Sequence, residues 1–126
     1  MGGITYDTGA LVAAERNDRN MWALHRRALE RGTRPTVPAG VLGQAWRGGP
    51  QAELSRLLKG CRIEALDTIR ARSAGAACAD AGTADLIDAS VVVGALARGD
   101  LVVTSDGADV RRLADALDSP LEIVHT

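Results

Sequence analysis

The chain has 126 residues, the usual size of one domain, and a single domain over 1–126 is expected. It is 46% hydrophobic and 25% charged but only 2% aromatic, with no Phe, so the core must be built from Ala, Leu, Val and Ile. No apolar run approaches the roughly 20 residues that span a bilayer, no basic segment leads into an apolar one at the N-terminus, and Cys61 and Cys78 lack metal-ligand spacing; a cytoplasmic protein with reduced thiols is expected.

The net charge of -1 conceals an asymmetry. Residues 1–62 carry ten Lys/Arg and five Asp/Glu, a balance of +5, whereas residues 63–126 carry five and eleven, a balance of -6. Such a division suits a half that meets a polyanion and a half that meets a metal ion. It also suits charges scattered over solvated helix faces.

In chain order, residues 3–6 predict a strand and 8–15 a helix, with Asp7 between them. After the polar "RNDRN", 19–31 predicts a second helix, stopped at Gly32. "TVP" at 36–38 reads as a short strand, 39–47 as a helix broken by "GGP", and 51–58 as another helix closed by Gly60. "CRIEAL", 61–66, alternates like a strand, and an Ala-rich helix follows over 67–81. Thr83 is a suitable N-cap for the next helix and Gly99 a suitable stop. "LVVTSD", 101–106, reads as a strand, 107–117 as a helix and "LEIVHT" as a last strand. Strands alternating with helices predict an α/β fold with one parallel sheet covered on both faces. In such sheets, sites form beyond the carboxyl ends of the strands.

Two aspartates fall at such ends, Asp7 and Asp106. If their strands are neighbours, the strands lie about 5 Å apart, and the carboxylates repel unless a cation sits between them or one is protonated. Asp88 is the third. Its helix (Leu86, Ile87, Ala89, Val91, Val92, Val93, Ala95, Leu96) is apolar nearly all round, and an aspartate within it is costly to bury unpaired. Asp85, three residues earlier, is either a fourth carboxylate or an ordinary first-turn acid. A shared divalent cation, Mg²⁺ or Mn²⁺, which takes hard oxygen ligands, accounts for Asp7, Asp88 and Asp106 together. The alternative is that Asp7 and Asp106 merely cap the helices that follow them, an account that serves Asp88 least.

At these residues the sequence resembles the PIN-domain family, especially the VapC ribonuclease toxins of toxin–antitoxin modules, over nearly the whole chain. Asp7-Thr8 match the first strand's Asp followed by Ser or Thr. "DASVVVGALARG" from Asp88 matches a "DAxxxA"-like helix, and "VVTSD" with Thr104 and Asp106 matches a strand ending "T-x-D", with a further acid at Asp109. The family's second acid, a Glu after the second strand, is Gln44 here, in "VPAGVLGQAWRGG"; Glu53 on the next helix is a weaker substitute. Gln44 keeps an oxygen ligand but loses the charge.

The resemblance implies a three-layer α/β/α sandwich around a short, mainly parallel sheet. It also implies an Mg²⁺-dependent endoribonuclease with Asp7, Asp88 and Asp106 as metal-binding catalytic acids, RNA as substrate, a homodimer and a cognate antitoxin. Thr104 could orient a carboxylate or a water, or it could simply make local hydrogen bonds at the strand end. The departure at Gln44 leaves a second expectation, a weakened PIN-like domain that binds RNA or a partner without cutting. Arg16, Arg19 and Arg47, with Arg26, Arg27 and Arg31, are candidates for holding RNA phosphates. Trp46 beside Arg47 could stack on a base, although Trp22 and Trp46 read more simply as packing residues. His25 and His125 read as isolated surface positions. A receiver-like phosphotransfer module is disfavoured, since the only lysine, Lys59, falls on an early helix. A dinucleotide-binding domain is disfavoured because no G-x-G-x-x-G follows the first strand.

Overall fold

The computed structural model describes residues 2–126. Among these residues, five strands, β1 (Ile4–Tyr6), β2 (Thr36–Pro38), β3 (Arg62–Glu64), β4 (Leu101–Thr104) and β5 (Ile123–His125), form one sheet in the order β3-β2-β1-β4-β5. Every neighbouring pair is parallel, so the sheet is wholly rather than mainly so. The strands are three or four residues long. β1 sits at the centre, where the order reverses: the chain steps outward from β1 to β3, then returns to β4 and continues to β5. In open parallel sheets this switch point opens a crevice beyond the carboxyl ends of the two strands beside it, here β1 and β4.

Among the described residues, seven helices cover the sheet: α1 (Thr8–Glu15), α2 (Arg19–Glu30), α3 (Ala39–Ala45), α4 (Ala52–Leu58), α5 (Thr68–Ala81), α6 (Leu86–Arg98) and α7 (Ala108–Ala116). Right-handed crossovers put the helices of the outward steps on one face and those of the return on the other. The contacts agree: α1 packs with α2, α3 and α4, and α6 packs with α5 and α7. The basic half of the chain is thus one helical layer with its strands, and the acidic half is essentially the other layer.

The core lacks Phe and is filled by Val37, Val41, Leu54, Leu57, Val91, Val92, Val102 and Val103, with Ala10, Ala14, Ala74 and Ala95 allowing close helix approach. Tyr6, the only tyrosine, is fully buried on the central strand. Its hydroxyl lies 2.8 Å from His25 Nδ1. This corrects the surface placement expected for His25, which is only 4% exposed; a buried phenol requires a polar partner, and α2 supplies one. His125 is exposed as expected. Trp22 packs edge-on to His25, donates its indole N–H to the Ala14 carbonyl at 3.0 Å, and carries the Arg56 guanidinium on its face. Trp46 remains partly exposed just past α3. Cys61 and Cys78 are unpaired thiols, and burial pushes that of Cys61 up to about 12.

A second buried polar group has no counterpart among the sequence expectations. Arg98, at the end of α6, bonds Asp100 at 2.9 Å and also pairs with Glu64 at the end of β3. Asp100 further accepts from the Gly3 amide and the Thr5 hydroxyl, each at 2.8 Å, and Arg70 approaches Glu64 at 3.6 Å. Each carboxylate in this network has a cation of its own chain beside it.

Candidate active site

The end of β1 defines the site. Asp7 follows Tyr6 directly, and its amide continues the ladder by donating to the Val103 carbonyl of β4. Its carboxylate accepts from the Ala10 amide at 2.9 Å and caps α1, so the capping role is real. Capping nonetheless does not require burial, and Asp7 is 5% exposed. Desolvation raises its pKa; hydrogen bonds from the Thr104 hydroxyl and from the Ala10 and Gly9 amides oppose the rise, and the Asp106 charge adds to it. Gly9 is needed for this approach: a Cβ there would stand 2.7 Å from Ser105 Oγ and 3.2 Å from Thr104 Oγ1. α1 therefore begins almost in contact with the end of β4.

Thr104 ends β4 and is fully buried. Its oxygen accepts from the Asp106 amide at 3.1 Å, and its hydroxyl lies near enough to Asp7 to favour that acid's charged form. The strand stops at Thr104, two residues before the end expected from "LVVTSD", and Asp106 lies on the turn that follows, exposed. Its contact with the Ala108 amide is long, 3.4 Å, and Gly107 rather than Asp106 occupies the cap position of α7. The carboxylate of Asp106 is thus barely committed within the chain.

Asp88 reaches the same rim from α6. Thr83 does not cap this helix. Gly82 closes α5 in the left-handed conformation, Thr83 braces the turn by accepting from the Asp85 amide at 3.2 Å, and Asp85 is the N-cap, accepting from the Asp88 amide at 3.0 Å. The short Asp side chain, two residues nearer the helix, simply outcompetes Thr83 for the first free amides. Asp88 is half-buried. Desolvation first, then Asp85, and then the charges of Asp109 and Asp7, push its carboxyl up to about 7. Asp109 is paired with Arg112 at 3.2 Å.

Gln44 also comes to this rim, from α3: its amide oxygen accepts from the Thr8 hydroxyl at 2.5 Å, next to Asp7. Glu53 does not substitute for it, being paired with Arg56 on α4. Arg16 and Arg19 follow the far end of α1, about 12 Å of helix from Asp7. Arg47, three residues past Gln44, is exposed and donates to the Trp46 carbonyl at 2.8 Å.

The fold therefore brings Asp7, Asp88, Asp106, Thr104, Gln44, Asp85 and Asp109 to one end of the sheet. Among the described residues, no ion pair includes Asp7, Asp85, Asp88 or Asp106. As the side chains stand, no group of three or more His, Cys, Asp or Glu among the described residues encloses an ion by itself. Among the described residues, no helix is long and apolar enough to cross a membrane.

No protein-family model matches this sequence, and no curated protein does. Solved structures match over nearly the full length. The chain is similar to a chain of VapBC2 from Rickettsia felis, crystallised with a DNA fragment from the promoter, at 14% identity and a TM-score of 0.71, covering 98% of both chains. It is also similar to a chain of DNA-bound VapBC from Salmonella typhimurium, at 20% identity and a TM-score of 0.69, covering 99% of this chain and 98% of that one. The protein thus has the three-layer, PIN-like fold of these VapBC chains, with its acids gathered at the crevice where that fold opens.

Proposed function

We propose that the protein is a divalent-metal-dependent endoribonuclease, the toxin of a toxin–antitoxin pair. The observation that carries this reading is a chain of acids at one rim, with the Asp106 charge acting on Asp7 and the Asp7 charge on Asp88, and no ion pair of the described residues joins any of the three; Arg112, beside Asp88, is paired with Asp109. The donor set is hard and anionic, which fits Mg²⁺ or Mn²⁺. Among the described residues, no three acids are placed to hold an ion by themselves, so binding would require waters and side-chain movement, and Mg²⁺ commonly keeps several waters. Asp7, Asp88 and Asp106 would hold it. When bound, it supplies a water of lowered pKa and neutralises charge on the departing oxygen of a phosphodiester.

The residues of the chain divide the remaining work. The Ala10 amide donates to the Asp7 carboxylate, and the nearby Thr104 hydroxyl favours its charged form, so the least exposed acid is held in place at the helix start. Asp106, on an exposed turn, can swing to meet an ion or a substrate. Burial and its acidic neighbours push the Asp88 carboxyl up to about 7, and a bound cation would favour its charged form. Thr8 holds the Gln44 oxygen toward the rim, where it can act as a neutral ligand.

An antitoxin partner is supported by the structural neighbours, which are VapBC complexes. A second reading, a PIN-like domain that binds RNA or a partner but no longer cuts, has one specific observation in its favour. The neutral Gln44 oxygen is already engaged by Thr8, leaving three acids where the resemblance implies more charge. Incubating the purified protein with RNA and Mg²⁺ or Mn²⁺, beside Asp88→Asn, separates the two. Cleavage by the first protein alone supports the nuclease; metal binding without cleavage supports the second reading; equal behaviour of both proteins removes the metal site.

A further inference from the structure

We infer that Arg112 receives an RNA phosphate at the acidic rim and so sets where the backbone lies relative to Asp88. This rests on the nuclease reading above. A cavity of about 280 Å³ opens between the start of α6 and α7, and Asp85, Asp88, Asp109 and Arg112 line it. Three of these four are carboxylates, which repel a polyanion; Arg112 is the one cation among the residues lining the cavity.

The geometry leaves its guanidinium available. The contact with Asp109 runs through Nη1 to a single carboxylate oxygen at 3.2 Å, and both side chains are largely exposed, at 77% and 69%. A guanidinium carries five donors in a planar fork that matches phosphate, and one such contact leaves most of them unused. The neighbouring arginine is engaged elsewhere. Arg111 donates to the Leu121 carbonyl at 3.2 Å and approaches Asp115 at 3.8 Å, away from the cavity. Consecutive arginines therefore face different surroundings, one tied to the approach to β5 and one held at the mouth of the cavity. The competing account is an ordinary surface pair one helical turn apart, of little consequence for either stability or binding.

Binding separates the two. In an Asp88→Asn background, the affinity for a single-stranded RNA oligonucleotide of mixed sequence is measured by fluorescence anisotropy from about 50 to about 200 mM KCl. Adding Arg112→Ala is expected to weaken binding about tenfold and to make the log–log salt slope shallower by about 0.7. Arg112→Lys restores the slope but only part of the affinity. Asp109→Asn, which breaks the same pair from the other side, leaves affinity unchanged or higher. In the otherwise native protein Arg112→Ala raises KM more than it lowers kcat. If Arg112→Ala and Arg112→Lys both bind like the parent while the native protein still cuts RNA, the inference fails and the nuclease reading stands. If the native protein neither binds nor cuts RNA, both fall together.

Discussion

Two groups of buried or half-buried carboxylates lie on this small sheet, and the fold treats them in opposite ways. Asp100 and Asp7 are almost equally hidden, at 9% and 5% exposure. Asp100 is met by the Arg98 guanidinium, an amide and a hydroxyl, and Glu64 beside it shares Arg98 and Arg70. Asp7 is met by amides and a hydroxyl, and beyond them by further acids, Asp106 and Asp88. The chain can supply a cation to a buried acid and does so where the role is structural. At the carboxyl rim it supplies none to Asp7, Asp88 or Asp106. That contrast, rather than acidity alone, is what supports the proposed cation from outside.

The largest effect should come from breaking the paired cluster. Arg98→Met leaves Glu64 and Asp100 without their shared cation, and loss of one partner of a buried pair costs about 3–5 kcal/mol. With Arg98 part-exposed and Arg70 nearby, the lower end is expected. A urea titration reads it; a loss below about 1 kcal/mol would erase the distinction between the clusters.

Next comes the unpaired cluster. Asp7→Asn and Asp88→Asn should each lower RNA cleavage by at least about a hundredfold, the scale of losing part of a metal site. Stability in metal-free buffer should hold or rise. Asn still caps α1, and the removed charge no longer opposes its neighbours. Thermal melts in a chelator test this, and unfolding of both variants would return the acids to a purely structural role.

pH separates the clusters further. The folded pKa of Asp88, about 7, stands above its ordinary value near 4. Between those values the folded state binds the extra proton, so stability at this site is present at low pH and is lost as pH rises toward 7. With Asp88 half-exposed, about 1–2 kcal/mol is expected after solvent screening. Asp88→Asn should flatten that part of the metal-free stability profile, and Mn²⁺ added at pH 6.5 should release protons. A profile identical in native and variant proteins would contradict the placement of Asp88.

The smallest change is Gln44→Glu. It adds a charge beside Thr8 without altering shape, and should tighten Mn²⁺ binding several-fold, with a matching gain in cleavage at limiting metal, as expected when ligand charge increases. Calorimetric titration reads it, and weaker binding would show that Gln44 lies outside the ion's reach.

Much of this is readable from the chain. α1 over 8–15 and β2 over 36–38 have the bounds expected, because Asp7, Gly9 and Pro38 punctuate them sharply. Asp7 follows β1 directly, while Asp106 lies on the turn two residues past β4; the two acids are neighbours because β1 and β4 pair, which the alternation of strands and helices allows. What stays hidden depends on pairings distant in sequence. Tyr6 finds His25, and Asp100 reaches Gly3 and Thr5 more than ninety residues away, contacts that leave no local spacing signal. Thr83 is a reasonable cap on local grounds; Asp85 displaces it because α6 starts only at Leu86, leaving Asp85 beside the first free amides.

The central claim is that one divalent ion sits among Asp7, Asp88 and Asp106. A crystal soaked in Mn²⁺ and measured for anomalous scattering tests it most directly. The account predicts a peak within coordination reach of those carboxylates, with waters completing its shell and the side chain of Asp106 drawn inward. A rim free of any peak at saturating Mn²⁺, with the acids still bonded only to amides and hydroxyls, would contradict it.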